Sequence, residues 1–382
     1  MKVNLKKLLS MLLVVGSIVA VVMIAFSNSE LENAWDALGS LNPIWVLGIF
    51  SCWFIYMFSD AFAYWMYFRS EGFKISIGRC VNASLIGFYY SNITPTSAGG
   101  QPMLVNSFRK AGIPVGYGTM GATVRFICNQ FAISFLSLLC FLIDRDFVYE
   151  QLGGVIWLIR IGWLINFAGV PLVLMAAFQR RLIQRIAEWI IDLGVRIKLV
   201  KNRETAVSSV TNVLDTYHVA LKELLERPWR IIIQMLSGMA GITALIASIY
   251  FVYHAFGYSE CPWIHLFTIS FMLYISACYT PLPGASGAQE GGFLLYFQNI
   301  FPPDTIGLAL LVWRFFTYYM FIIVGVFMVI LERIILRKER KKKERQSKIS
   351  NNLYNNLSDN FSDNLSDDLS KTLSENHSET KI

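Results

Sequence analysis

Two arginines that follow broken apolar stretches are the residues of this chain best suited to bind an anion. Arg125 follows the break at 94–101, which reads TPTSAGGQ, and Arg314 follows the break at 280–292, which reads TPLPGASGAQEGG. From the proline of the Thr-Pro step to the arginine there are 30 residues in the first copy and 33 in the second. Broken helices at membrane depth line cavities, and a corresponding pair of them points to a transporter binding site.

The chemistry of such breaks suits a phosphate or a carboxylate. The N-terminus of a half-helix presents free N–H groups and a positive dipole end, and arginine adds bidentate contacts to phosphate oxygens. Gln101 and Gln289, which belong to the two breaks, are candidates to contact the bound group. We expect the breaks themselves to be formed by Thr94, Pro95, Gly99, Gly100, Thr280, Pro281, Pro283, Gly284 and Gly287.

Two carboxylates accompany the arginines within apolar sequence, where an ionisable residue is costly to bury and is therefore a functional candidate. Glu290 belongs to the second break and either neutralises Arg314 in a structural ion pair or receives a proton or a substrate amine. Asp60 lies among tyrosine and serine residues and is either functional or a hydrogen-bonded structural group. Arg160 lies near the outer end of its span, and we expect its side chain to reach the interface instead.

Catalytic and metal-binding patterns are absent from the sequence. The six cysteines show neither a CxxC spacing nor a pairing pattern. There is no HExxH, Walker loop or dinucleotide fingerprint, and 284–287 is not a nucleophile elbow. We therefore predict no catalytic residue, no metal and no cofactor. The basic run 337–345, RKERKKKER, is predicted to lie beside the membrane rather than to bind nucleic acid directly.

The elements that must position these residues are membrane helices. The chain is 55% hydrophobic and only 15% charged, and an apolar run of about 20 residues spans a bilayer. The segments 80–108 and 264–301 each consist of two apolar pieces of about 14–17 residues around a break, which favours re-entrant hairpins over four further spans that would give ten helices. Full-length spans are predicted at 8–27, 43–68, 117–143, 153–177, 229–256 and 305–331.

The distribution of lysine and arginine predicts the orientation of these elements. The N-terminus is basic and the linker 178–228 is rich in basic residues, so both are expected in the cytoplasm, while the acidic loop 28–42 is expected outside. The first hairpin then enters from the cytoplasm and the second from outside. We therefore predict an all-α polytopic membrane protein of about six full spans and two broken re-entrant hairpins, arranged as an inverted repeat with halves at about 43–143 and 229–331.

Two segments are predicted to lie outside the bilayer, on its cytoplasmic side. Within 1–335, which we interpret as one transmembrane domain, the linker 178–228 carries apolar residues at helical spacing and is predicted to be amphipathic. Residues 336–382 comprise the basic juxtamembrane run and a low-complexity tail with an apolar residue every four positions, which is predicted to be disordered. The apolar positions of the linker are Ile183, Ile186, Ala187, Ile190 and Leu193.

The two breaks also resemble motifs of a known family. The stretch 280–293 followed by Arg314 is similar to the signature of the flippase-like membrane domain of lysylphosphatidylglycerol synthases, the bacterial multiple peptide resistance factors. The stretch 94–101 with Arg125 is similar to the first motif of that domain, with Val124 where the resemblance would place an acidic residue. The resemblance covers about 5–335. It implies a bacterial inner membrane, phosphatidylglycerol or its lysyl ester as a partner, and a role in antibiotic resistance, while the cytoplasmic position of both termini is predicted from the basic residues.

Several functions fit these observations. The leading hypothesis is a protein that moves an anionic or aminoacylated phospholipid between leaflets. The resemblance also implies an enzyme, phosphatidylglycerol lysyltransferase, or a partner of a separate aminoacyltransferase. In full-length family members, however, a soluble domain transfers lysine from lysyl-tRNA, and an internal soluble stretch of about 50 residues is too short for one. An ion-coupled carrier of a small solute and a membrane scaffold are the remaining alternatives.

Overall fold

The computed structural model describes residues 16, 36, 38–196, 203–277, 279–335 and 337, and every regular element among them is helical. This confirms an all-α polytopic membrane protein. The predicted span 8–27 and the tail 336–382 lie outside the described residues, apart from single positions. The helices are α1 (Pro43–Ser70), α2 (Ile77–Ile93), α3 (Gly100–Lys110), α4 (Val115–Ile143), α5 (Arg145–Leu152), α6 (Ile156–Phe178), α7 (Arg180–Arg196), α8 (Arg203–Leu225), α9 (Trp229–Ala255), α10 (Trp263–Ala277), α11 (Ala288–Phe297) and α12 (Ile306–Arg314).

Five helical stretches of the described residues are long and apolar enough to cross a membrane. Four of them begin within two residues of a predicted span. The agreement is expected, because an uninterrupted apolar run of that length is stable where it crosses the bilayer. The fifth joins the short α5 to α6 and begins before the predicted span. The spans are Pro43–Ser70, Val115–Ile143, Arg145–Gly169, Trp229–Ala255 and Ile306–Ile335.

The two broken segments form hairpins that do not cross the bilayer. The arms α3 and α11 have 11 and 10 residues, or about 16 and 15 Å at helical rise, against roughly 30 Å of hydrocarbon. The tips of the hairpins touch, because the N–H of Thr96 in the first donates to the carbonyl of Pro281 in the second at 3.1 Å. Hairpins that turn back at a shared level are re-entrant, as predicted.

The register of the repeat differs from the one suggested by the Thr-Pro steps. Each tip contains a tight turn that begins at a proline, Pro95 in the first hairpin and Pro283 in the second. Each of these prolines lies five residues before the first residue of the following half-helix. Aligned this way, the arginines follow at 30 and 31 residues rather than 30 and 33. The correct counterpart of Pro95 is therefore Pro283 and not Pro281.

Small residues let the two long spans α1 and α9 pack closely, as is common between membrane helices. A Cβ atom added at Gly241 of α9 would lie 2.3 Å from the Oγ of Ser59 in α1. The hydroxyl of Ser237, also in α9, donates to the carbonyl of Ser59 at 2.5 Å. This packing fixes the α1 face that carries Asp60.

The predicted amphipathic linker contains two helices, α7 and α8. Helix α8 packs on the start of α4, where a Cβ atom at Gly116 would lie 2.5 Å from the Cβ of Thr216.

The compact unit that contains both hairpins ends at Met328, and Val329 begins a second unit.

Candidate functional site

A buried ion pair joins the second hairpin to the last span. Nε of Arg314 donates to Oε1 of Glu290 at 2.7 Å, and Nη2 lies 2.7 Å from the same oxygen. Both side chains are 5% exposed. The other carboxylate oxygen of Glu290 accepts the N–H of Gly287 at 2.6 Å, which satisfies a free donor at the start of α11. The carboxylate is therefore held from both sides and holds the arginine against the hairpin tip.

Backbone and aromatic groups complete the surroundings of this arginine. Nη2 of Arg314 donates to the carbonyl of Gly284 at 3.0 Å, and its guanidinium carbon lies 4.7 Å from the ring centre of Tyr318. The hydroxyl of Tyr318 donates to the carbonyl of Asn92, at the end of α2 in the other hairpin, at 3.1 Å. These bonds use Nε and Nη2 of Arg314, and none is formed by Nη1 among the described residues.

A cavity of about 320 Å³ lies beside the pair, between the two hairpin tips. Its volume is within the range of small-molecule sites. Both tips and the helices α1, α2, α9, α10, α11 and α12 contribute to its wall. The polar and charged residues at the wall include Thr96, Ser97, Tyr56, Tyr274, Gln289 and Arg314.

Among the polar residues of this wall that the structure describes, Gln289 has a buried side-chain oxygen that accepts no hydrogen bond. Its side chain is 6% exposed, and its Oε1 accepts no hydrogen bond from the described residues. An unsatisfied buried carbonyl oxygen costs about 1–3 kcal/mol. Gln289 is the second residue of α11, so it lies beside the free N–H groups at the start of that half-helix.

The first half of the repeat contains a second buried ion pair. Nε of Arg125 donates to Oδ1 of Asp60 at 2.8 Å, and Nη1 donates to the carbonyl of Gln234 in α9 at 3.1 Å. Arg125 is 3% exposed and Asp60 6% exposed. The carboxylate of this pair therefore comes from the span α1 and not from the hairpin that precedes the arginine. Both arginines are thus paired, with carboxylates from different elements.

The pair of the first half lies beside a smaller cavity, of about 100 Å³. Gln101 lines this cavity as the second residue of α3 and is the counterpart of Gln289, but it is exposed. Phe88 lines both this cavity and the larger one.

The hairpin tips adopt strained backbone conformations. In each tip the two residues after the aligned proline have positive φ: Thr96 and Ser97 at 53° and 56°, Gly284 and Ala285 at 60° and 52°. For residues other than glycine this region is uncommon and clusters at functional sites. Of the other predicted break residues, Thr94 accepts the N–H of Gly99 through its Oγ1 at 2.9 Å, just before α3 begins.

Several residues of the site were not predicted from the sequence. Tyr318 lies four residues after Arg314, a spacing that places both on one helix face and was the available signal. The helix also widens into a single π-type turn, Phe315–Tyr319, directly after the arginine, and such turns are frequent at functional sites. The backbone acceptor Gln234 has no sequence signal, and Gly284 was predicted as a break residue but not as an acceptor of Arg314.

The fold and these sites define a class of protein: an all-α multi-pass membrane protein with two re-entrant hairpins and two buried arginine–carboxylate pairs. Residues 8–325 match the family described as lysylphosphatidylglycerol synthase TM region, and the chain belongs to this family. It is also similar to a UPF0104 membrane protein of Archaeoglobus fulgidus. The two are 26% identical over 311 residues, which are 80% of this chain and 92% of that protein.

Proposed function

We propose that this protein translocates an anionic or aminoacylated phospholipid, similar to lysylphosphatidylglycerol, between the leaflets of a membrane. The observation that carries the proposal is the Arg314–Glu290 pair, buried beside a cavity that lies between the tips of two re-entrant hairpins. Membership of a family named for a lysylphosphatidylglycerol synthase supports this class of substrate.

The groups around the cavity suit both parts of an aminoacylated head group. The guanidinium of Arg314 and the start of α11 are donors for a phosphate. The unmet carbonyl oxygen of Gln289 is an acceptor for an ammonium or hydroxyl group. Because Glu290 already neutralises Arg314, a phosphate alone adds a negative charge to a buried site. The ammonium groups of a lysyl ester offset the charge of the phosphate within the head group itself, so we propose that the lysyl lipid fits the cavity better than phosphatidylglycerol does.

The size of the cavity indicates which part of the lipid enters it. A volume of about 320 Å³ accommodates a head group but not two acyl chains. Crossing of a charged head group through hydrocarbon is slow because burial of its charge is costly. We infer that the polar groups lining the cavity take the place of water around the head group, while the acyl chains of the lipid stay in the bilayer.

The remaining parts of the hypothesis concern the cell. We propose a multi-pass protein of the bacterial inner membrane with cytoplasmic termini, one transmembrane domain at 1–335, a cytoplasmic linker at 178–228 and a cytoplasmic tail at 336–382. A separate aminoacyltransferase would then supply the lysyl lipid. The positive charge of the cytoplasmic segments supports this orientation.

A leaflet assay tests the proposed function. The purified protein is placed in liposomes with fluorescent lysylphosphatidylglycerol or phosphatidylglycerol, and a membrane-impermeant quencher reports the accessible fraction. We expect faster exchange than in empty liposomes, and the lysyl lipid to be exchanged faster than the unmodified one. Exchange at the rate of empty liposomes for both lipids would contradict the proposal and would favour the solute-carrier or transferase alternative.

Replacing Gln289 with leucine should slow exchange about tenfold without a loss of stability. One hydrogen bond to the head group is worth about 1.4 kcal/mol, which is a factor of ten. Because Oε1 has no partner among the described residues, its removal breaks no bond within the protein. The measurement is the exchange rate together with the melting temperature in detergent.

The matched control for this change is Gln298→Leu, at the exposed end of the same hairpin arm. It should leave both the exchange rate and the melting temperature unchanged. If Gln289→Leu lowers the melting temperature and spares exchange, the glutamine is structural and not part of the binding site.

A further inference from the structure

An apolar groove of about 520 Å³ lies between the spans α1 and α9 and shares no lining residue with either cavity. Its large lining residues are all apolar, namely Phe54, Ile55, Phe58, Phe62, Ile233 and Leu236. The small ones are Ser59, Ser237 and Ala240. The hydroxyl groups of Ser59 and Ser237 both donate to backbone carbonyls, so neither of them needs a polar ligand. The groove therefore suits a hydrocarbon chain.

A row of aromatic rings leads from this groove to an exposed arginine near the end of α1. The ring centres of Phe54 and Phe58 are 5.8 Å apart, and those of Phe58 and Phe62 are 6.3 Å apart. Phe62 contacts Trp65 at 5.9 Å, and the guanidinium carbon of Arg69 lies 6.0 Å from the ring centre of Trp65. Because the row repeats every three or four residues, it follows one face of the helix. An acyl chain along this row would have a cation at its end.

The row is about as long as one leaflet is thick. It covers 54–65, which is about 16 Å at helical rise, and half of the hydrocarbon core is about 15 Å. Beyond it the cleft is filled, because a Cβ atom at Gly48 would lie 2.1 Å from Cδ1 of Phe251. Gly48 lies 11 residues before Ser59, and Phe251 lies 11 residues after Ala240. Both separations are about three helical turns, so this contact is on the same helix faces as the groove.

The open end of the groove carries an excess of positive charge. The bond from Arg230 to the carbonyl of Ser70 places the start of α9 beside the end of α1, and Trp229 there is exposed. Tryptophan and basic residues are typical of the interface where lipid head groups lie, and basic residues attract anionic lipids. The exposed charged residues of 69–79 and 222–229 are Arg69, Lys74, Arg79, Lys222 and Arg227 against Glu226.

We propose that the groove binds one acyl chain of an anionic phospholipid, whose phosphate lies beside Arg69. The lipid belongs to the leaflet in which α1 ends, and it is a resident lipid rather than the one that is moved. A groove that is closed at mid-membrane and basic at its open end matches a chain with a charged head group. A helix from the same chain or from a second copy would cross both leaflets. Because the chain contacts α1 and α9 together, the bound lipid is expected to stabilise the protein.

Native mass spectrometry of the delipidated protein tests the head-group contact. The protein is titrated with phosphatidylglycerol and with phosphatidylcholine of the same acyl chains. We expect the wild type to prefer phosphatidylglycerol and Arg69→Gln to reduce this preference about fivefold, the effect of one basic residue near an anionic surface. The matched control is Arg145→Gln, which removes an exposed arginine that lies 5.5 Å from the ring of Tyr149. Equal affinity of the wild type for the two lipids, or a preference unchanged in Arg69→Gln, would overturn the proposal.

Filling the groove tests the contact with the acyl chain. Ala240 lines the groove and is exposed, so Ala240→Phe occupies the groove without overpacking the core. This variant should bind one phosphatidylglycerol fewer than the wild type and lose the rise in melting temperature that the lipid causes. Ala168→Phe, at an exposed alanine of the span α6, should retain both.

The other occupants give different results in the same variant. If the predicted span 8–27 covers the groove, Ala240→Phe will lower the melting temperature of the delipidated protein. If a second copy covers it, the variant will change the oligomeric state. Either result, or an unchanged number of bound lipids, would overturn the proposal. None of these measurements depends on lipid exchange, so the proposed function can fail without affecting them.

Discussion

Replacing Arg314 with methionine should abolish lipid exchange and lower the free energy of unfolding by about 3–5 kcal/mol. The change leaves Glu290, which is 5% exposed, as a buried carboxylate without its cation. It also removes the donor to the carbonyl of Gly284 and the cation that lies over Tyr318. Exchange should fall to the rate of empty liposomes, because Arg314 is the cation among the residues that line the cavity. Chemical denaturation and the leaflet assay measure the two effects.

A double variant separates the two roles of this arginine. Combining Arg314→Met with Glu290→Gln removes both charges, while the amide oxygen of the glutamine can still accept the N–H of Gly287. Replacing a buried ion pair by neutral groups of similar volume is often close to neutral in stability. We therefore expect most of the lost stability to return, and exchange to remain absent.

The matched control for the pair is Arg160→Met. Arg160 also belongs to an apolar span, but it is exposed and donates to the hydroxyl of Tyr149 at 3.3 Å. Its replacement should change stability by no more than about 0.5 kcal/mol, as for most surface substitutions. If exchange persists in Arg314→Met, the cavity is not the translocation path. If the double variant is as unstable as the single one, an unpaired charge is not the cause of the loss.

The fold was predictable from the sequence because its dominant signals are local. Apolar length determines each span, and proline and glycine determine where the hairpins turn. The register of the repeat was not predictable from the sequence. The second tip contains two prolines, Pro281 and Pro283, and the sequence does not indicate which of them begins the turn. The backbone conformation distinguishes them, because the two residues after Pro283 have positive φ.

How well the sequence predicted each ion pair depended on the separation of its two residues along the chain. Glu290 and Arg314 are 24 residues apart and belong to adjacent elements, so the sequence suggested their contact. Asp60 and Arg125 are 65 residues apart on different spans, and their contact requires the rotation of each helix to be known. A third buried ion pair joins Arg230 in α9 to Glu71 at the end of α1. The sequence gave no signal for it, because charges at the ends of spans are usually interfacial.

Replacing Gly284 with alanine should slow exchange more than tenfold and destabilise the protein by about 2–4 kcal/mol, from backbone strain and overpacking together. Gly284 has a φ of 60°, and a Cβ atom there would lie 2.0 Å from Cε2 of Tyr318. The ring has little room to move, because Tyr318 is 1% exposed and its hydroxyl is bonded to the carbonyl of Asn92. The added atom must therefore displace either the hairpin tip or the ring beside Arg314.

A second glycine isolates the steric part of this effect. Gly257 also has a positive φ, of 83°, but a Cβ atom there would meet nothing within 4 Å. Gly257→Ala should thus show the strain alone, about 1 kcal/mol, and normal exchange. Adding Tyr318→Ala to Gly284→Ala removes the overlap and should recover part of the stability. Because Tyr318 also joins the two hairpins, exchange should stay slow in that double variant. Equal losses in the two glycine variants would mean that strain alone, and not the contact with Tyr318, makes glycine necessary at the tip.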